Sequence, residues 1–215
     1  MTTFTQQFTN DTDGVDTFIQ SNEADTNKDS LDALYVGESN IAAGIGRGLI
    51  KFDWSSISPP DIVISTATIS LWIAGDLSDN ARTFKIYRVL RNWVETQATW
   101  NNYSSGNSWT TAGCGSDGND ADLTNYLASC SFYATQYNGD QKDFVFTASG
   151  LVILQNMVRG TYPNYGFLIK ADTENNDMHA LAGSRNGSFS HPLLTFDYNF
   201  APGANPVSVT PYMMV

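Results

Sequence analysis

Short segments in which every second residue is apolar recur along this chain, each stopped by glycine, proline or asparagine. Leu49–Trp54 places Ile50, Phe52 and Trp54 on one face. Thr66–Ala74 sends Ile69, Leu71 and Ile73 one way and Thr68, Ser70 and Trp72 the other, and Leu193–Tyr198 puts Leu194, Phe196 and Tyr198 on one side. A period of two belongs to a half-buried strand. Further strands are expected at Asp16–Gln20, Leu34–Val36, Thr83–Leu90, Phe144–Phe146, Gly166–Lys170 and Ala180–Gly183. Helical spacing occurs once. Ser149 is the candidate N-cap, Leu151, Leu154 and Val158 share a face, and Gly160 follows, which predicts a helix over 149–159. Leu123–Leu127 reads as a short helical turn.

Many short strands, long connections and a single helix predict an all-β fold: an antiparallel jelly-roll β-sandwich with its first and last strands close together. The expected organisation is an N-terminal extension over 1–15, the sandwich over 16–199 with an inserted loop region at 110–141, and a C-terminal tail over 200–215.

One stretch carries more aromatic weight than the rest. Ile86–Asn101 starts as a strand and ends in a polar loop bracketed by Trp93 and Trp100. Tryptophan is rarely left exposed, so the pair reads as structural anchors plugging the end of the core.

Charge limits the partners. A net charge of −11 and a pI near 4.3 leave nothing to neutralise phosphates, so nucleic acid and anionic membranes are not expected. The first nine residues have no basic region and no apolar core and are not read as a signal peptide: either the chain has been trimmed, or it leaves its cell by a route that needs no signal, such as lysis. Cys114 and Cys130 flank a polar loop, and Cys114 sits in an exposed-looking Gly-Cys-Gly. They form either a disulfide, which would remove roughly 3 kcal/mol of unfolded-state entropy, or two free thiols. Two cysteines and two histidines without ligand spacing exclude a zinc site.

The order of the motifs resembles the DNRLRE domain, a β-sandwich module of surface, secreted and phage proteins. The resemblance rests on Asp16-Thr-Phe-Ile19 with Asn27 and Leu34–Gly37, on Arg47–Asp53, and on Ile64–Trp72. It continues with Tyr87-Arg-Val89, Trp93-Val-Glu95 and Thr99-Trp-Asn101, then Asn164–Leu168 and His191–Tyr198. It covers roughly residues 16–198 and implies a β-sandwich that works as a carbohydrate-binding or cell-surface unit.

Candidate sites follow from side-chain chemistry. Arg47, one of few cations, is expected to pair with Asp53 or Glu95 across two strands. Asp25, Asn27 and Asp29 alternate oxygen ligands as calcium loops do, which makes them the first choice for a structural calcium, with Asp117–Asp122 similar. For both segments a solvated turn is the commoner role and a metal site the alternative. On the alternative reading of a carbohydrate-binding module, Tyr103, Trp109, Tyr162 and Tyr165 are the aromatics that would stack on sugars. Tyr212, Met213, Met214 and Val215 form an apolar end that either packs back on the parent sandwich or docks on another subunit or a capsid protein.

No nucleophile elbow and no nucleotide-cradling loop is present. The expectation is a non-catalytic structural or binding protein of a bacteriophage virion surface, a capsid decoration or fibre, partnered by itself or a capsid protein. A carbohydrate-binding or adhesive cell-surface module, meeting glycan, is the alternative, and a polysaccharide-acting enzyme the remote one.

Overall fold

The computed structural model describes residues 1–8, 14–39, 44–57, 61–76, 81–132, 139–174, 178–182 and 190–200. Thirteen strands and one α-helix occur among them. In chain order they are β1 (Thr2–Gln7), β2 (Gly14–Gln20), β3 (Leu34–Ser39), β4 (Gly44–Phe52), β5 (Ile62–Asp76), β6 (Arg82–Arg88), β7 (Asn102–Ser104) and β8 (Asn107–Ser108). β9 (Ala128–Phe132), β10 (Gln141–Phe146), α1 (Ala148–Val158), β11 (Phe167–Ala171), β12 (Met178–Ala182) and β13 (Leu193–Phe200) complete the set.

The fold is all-β and antiparallel, as the alternation requires. Fifteen-residue β5 organises it. One edge of β5 holds β13 at Ile62–Ser70 and then β12 at Trp72–Asp76, while the other edge holds β10 at Thr68–Trp72. Because β12 returns to β5, the strands β5, β10, β9, β6, β11, β4, β3 and β12 make a closed circuit of antiparallel pairs. Closure removes most free edges and curls the sheet around its own core. β1 and β13 extend it beyond β5, and β2 extends it beside β4.

The enclosed core holds Phe52, Ile69, Leu71, Phe84, Phe144 and Phe167, each no more than 1 % exposed. Burying such side chains stabilises by about 1.5–3 kcal/mol apiece before entropy is charged. Ile50, Phe52 and Trp54 do share this core. Helix α1 closes one end through Leu154, Met157 and Val158. A Cβ on Gly150 would come within 2.1 Å of the Leu127 carbonyl oxygen, so glycine alone permits this approach. The cap is Thr147, whose side chain accepts from the Gly150 amide at 2.9 Å, and not Ser149. Gly160 ends the helix at φ 76°, the left-handed geometry a C-terminal glycine supplies.

Two expected boundaries and one expected turn are corrected. Residues 1–15 are no extension: β1 pairs along its length with β13, and β2 begins at Gly14. Polar Thr and Gln hid β1, because only Phe4 in it faces the core. The region 110–141 is not wholly an insertion, since Ala128–Phe132 is β9, paired with β6 and β10. Leu123–Leu127 contains no helical turn. Residues 201–215, including Tyr212, Met213, Met214 and Val215, lie outside the described residues.

Candidate functional site

The four neighbouring strands β2, β4, β11 and β6 bury apolar residues on both faces. Phe18, Ile50, Ile86 and Phe167 point into the enclosed core, while Ile19, Leu49, Tyr87 and Leu168 point outward into a second apolar cluster. That outer cluster is roofed by the loops running from Val89 to Leu127, which contribute Val89, Trp93, Ala98, Trp109, Cys114 and Ala121. Trp93 and Trp100 therefore anchor this roof instead of plugging the sandwich end. Trp93 is 2 % exposed, and its Nε1 donates to the Tyr165 carbonyl at 2.7 Å.

Roof loops carry many polar backbone groups, and acidic side chains satisfy them. Asp120 is fully buried and accepts from the amides of Thr110, Thr111 and Ser116 at 2.9, 2.9 and 3.1 Å. Burial works against its charge, but those amides outweigh it and hold the carboxyl below the ordinary aspartate range. Asp117 accepts from the Thr124 hydroxyl and from the amides of Leu123 and Thr124, which also lowers its pKa. The Asp117–Asp122 segment is thus a backbone organiser.

Arg47 joins roof to sheet. Its Nε and Nη2 donate to the two oxygens of Glu174 at 2.7 Å each, and its Nη1 donates to the Gly113 carbonyl at 2.6 Å. The guanidinium lies 5.0 Å from the Trp100 ring centre. The expected partners Asp53 and Glu95 are replaced by Glu174, which is remote in sequence. Gly113 sits at φ 79°, where a Cβ would meet the Trp100 ring at 2.6 Å, so turn geometry and ring contact both require glycine.

Both cysteines are free thiols. Cys114 is buried in the outer cluster, not exposed, and burial pushes its thiol well up, reinforced by Asp120 and opposed by Arg47. Cys130 lies on β9, half-buried against the enclosed core. The two residues belong to different clusters on opposite sides of the sheet.

The aromatic set does not form a platform. Trp109 is 4 % exposed and donates from Nε1 to the Thr99 carbonyl at 2.9 Å. Tyr103 packs on it at 5.6 Å between ring centres, and Tyr165 packs on the same outer cluster. Tyr162, partly buried, packs against the enclosed core and lies beneath Arg88 at 4.3 Å.

The candidate calcium residues take part in contacts between loops. Asn27 donates from Nδ2 to the carbonyls of Glu95 and Ala98 at 2.7 and 2.8 Å and accepts from the Asp29 amide. Asp25 accepts from Asn101. Asn27 is a latch between two loops, and no group of three or more His, Cys, Asp or Glu side chains able to hold a metal occurs among the described residues.

What the structure does bring together is a cleft of about 350 Å³ lined by Val15, Lys51, Asn92, Trp93, Val94, Glu95 and Thr96. Buried Glu95 accepts from the Asp16 amide at 2.9 Å, fixing the loop against the edge of β2. The Lys51 ammonium lies 5.6 Å from the Trp93 ring centre. Burial lowers its pKa, partly offset by Glu95. Asn92 and Thr96 stand exposed at the rim. The cleft thus offers an amide, a hydroxyl, an ammonium and an indole wall within one loop and its neighbouring strands. Trp93 and Glu95 were visible in the sequence as a motif. Lys51 was hidden as the polar member of an alternating strand.

The comparison with protein families matches residues 16–193 to the disaggregatase related repeat domain, and the chain belongs to that family. This corrects the resemblance to the DNRLRE domain, for which no family match is found. The quoted motifs lie mostly on strands of the sheet, and the assignment to a particular family did not follow from them. No curated protein matches the chain.

Proposed function

We propose that this disaggregatase related repeat domain is a non-catalytic binding and structural module displayed on the outside of a particle, a bacteriophage virion. There it engages hydroxyl-rich polysaccharide at the cleft between Lys51, Asn92 and Thr96. The observation that carries the reading is the match over residues 16–193 to a repeat domain related, by its description, to a disaggregatase. Dispersing an aggregate requires contact with the material that holds it together, and a repeated domain supplies that contact many times over.

The cleft fits the role in size and chemistry. Its volume of about 350 Å³ lies at the lower end for small-ligand sites, suiting one or two sugar units of a longer chain. Asn92 and Thr96 supply donors and acceptors for hydroxyls, and Lys51 a further donor. A binding role also agrees with the carboxylates around the roof, since Glu95, Asp117 and Asp120 hold backbone amides in place.

The test uses the full chain in affinity gel electrophoresis against a panel of purified bacterial polysaccharides. Retardation by at least one is expected, weakened about tenfold or more (~1.4 kcal/mol) in an Asn92→Ala/Thr96→Ala double variant with an unchanged melting temperature. Migration unaffected by every polysaccharide would remove the glycan reading. Immunogold labelling of phage particles with antibody to this chain tests the setting, and particles without label would remove the virion.

A further inference from the structure

Lysine and arginine number only 11 in this chain, yet three of them stand on neighbouring strands: Arg47 on β4, Lys170 on β11 and Lys85 on β6. Lys85 and Lys170 alternate with the core residues Phe84, Ile86, Ile169 and Ala171, so both face outward. The register sets them directly opposite each other. Like charges so placed repel and weaken the ladder. Burial lowers the Lys170 pKa, Glu174 opposes this, and Arg47 and Lys85 add to it. The nearest carboxylate does not relieve the pair. Both Glu174 oxygens receive Arg47 at 2.7 Å, and Lys170 reaches one of them only at 3.7 Å. The other carboxylate nearby, Asp172, bears on the Tyr87 phenol. Three cations thus meet two carboxylates, which leaves one positive charge over. On its far side Lys85 is opposed by Ser129 of β9, and its ammonium lies 5.2 Å from the ring centre of Tyr126, itself 38 % exposed. Two ammoniums and a hydroxyl, all able to donate, therefore stand in a row at the strand spacing of about 4.8 Å.

We infer that the Lys85–Lys170 pair is a binding site for a sulfate group, free or carried as an ester on a sugar chain. An anion set between the two ammoniums turns one repulsion into two attractions. The single charge left over matches the single charge of a sulfate ester. Residue type selects the shape of the anion. A planar carboxylate suits the fork of an arginine, and Arg47 already spends its fork on Glu174, whereas lysine ammoniums are point charges that suit a tetrahedral oxyanion. The net charge of −11 still excludes nucleic acid, which needs many cations at once, but it is screened beyond about 8 Å at physiological salt, so the nearest charges decide the fate of one small anion. The site lies apart from the cleft, because Leu49, covered by the roof, separates Arg47 from Lys51 on the outer face of β4. It goes beyond the proposed reading and does not depend on binding at the cleft.

The experiment pairs calorimetric titration of the full chain with sodium sulfate, at constant ionic strength, with affinity gel electrophoresis against dextran sulfate and plain dextran. Saturable sulfate binding is expected, as is stronger retardation by dextran sulfate than by dextran. Saturable binding without that retardation would assign the free anion, and retardation without it the ester. Lys85→Gln should weaken the signal about tenfold or more while the melting temperature holds or rises, because one of two repelling charges is gone. Lys28→Gln, which removes a lysine paired with Glu23 on another loop, should bind like the wild type. So should Asn92→Ala/Thr96→Ala, which separates failure of the cleft from failure of this site. No saturable binding together with equal retardation by the two dextrans would overturn the proposal. So would a Lys85→Gln chain that binds as the wild type does, or a Lys28→Gln chain weakened as much. A melting temperature that falls in Lys85→Gln would overturn it too, since the lysine would then be holding the sheet together.

Discussion

Two walls of one sheet follow different rules. In β10 and β13 exposed or half-exposed residues alternate with buried ones, so one face meets solvent and the other the enclosed core. In β2 and β11 nearly every residue is buried, because the loops from Val89 to Leu127 cover the outer face. The first wall is the ordinary half-wet antiparallel sheet. The second behaves like a central layer with a core on each side, and the candidate cleft opens where its roof meets β2. A loop roof held by Asp120, Arg47 and Asn27 therefore does for this wall what a second sheet would do.

The sharpest way to break this comparison is to remove one apolar side chain from each wall. Leu168→Ala in the covered wall should cost about 2–5 kcal/mol in urea unfolding. Val145→Ala on the half-wet wall, where the residue is 60 % exposed, should stay within about 0.5 kcal/mol. Equal costs would mean that the roof does not exclude water.

A smaller effect is expected from the roof's own geometry. Gly113→Ala forces a Cβ onto the Trp100 ring and a side chain into left-handed backbone, and should cost about 1–3 kcal/mol. Trp100 should also become more exposed, read as a red shift in fluorescence, while Phe144 and its neighbours stay packed. Loss of the whole fold at once would join the two walls into one cooperative unit.

Acid should separate the walls as well. The Asp120 carboxyl is depressed in the folded chain, so its contribution is complete above the unfolded-state pKa of about 3.9 and is lost as pH falls through the lower folded value. Asp120→Asn should therefore flatten the decline of stability below about pH 4, and an unchanged acid slope would show that other carboxyls govern it. The smallest expected effect concerns α1. Thr147→Ala should cost about 1 kcal/mol and Ser149→Ala almost nothing, because only Thr147 caps the Gly150 amide.

The sequence showed the half-wet wall well and the covered wall poorly, for a physical reason. Alternation in β5, β10 and β13 is written in residues two apart, and it located Ile69, Leu71, Phe144, Leu194 and Phe196 on the core side. In Gly166-Phe-Leu-Ile-Lys170 the run is continuous, which marks a strand but not what lies on each face. β1 stayed hidden because Thr and Gln outnumber its single buried apolar residue, and β9 because Ser129 and Ser131 separate its two buried ones.

What the sequence determined by itself was the all-β class, the place of the helix and the faces of the alternating strands, all set by short-range sterics and a period of two. Tertiary structure decided the partners. Arg47 met Glu174 and not Asp53 or Glu95, Cys114 and Cys130 ended on opposite sides of a sheet, and Lys51 came to rest over Trp93. Each of these depends on the register between strands far apart in the chain. That register follows from how two cores and a roof pack together, and no local pattern encodes it.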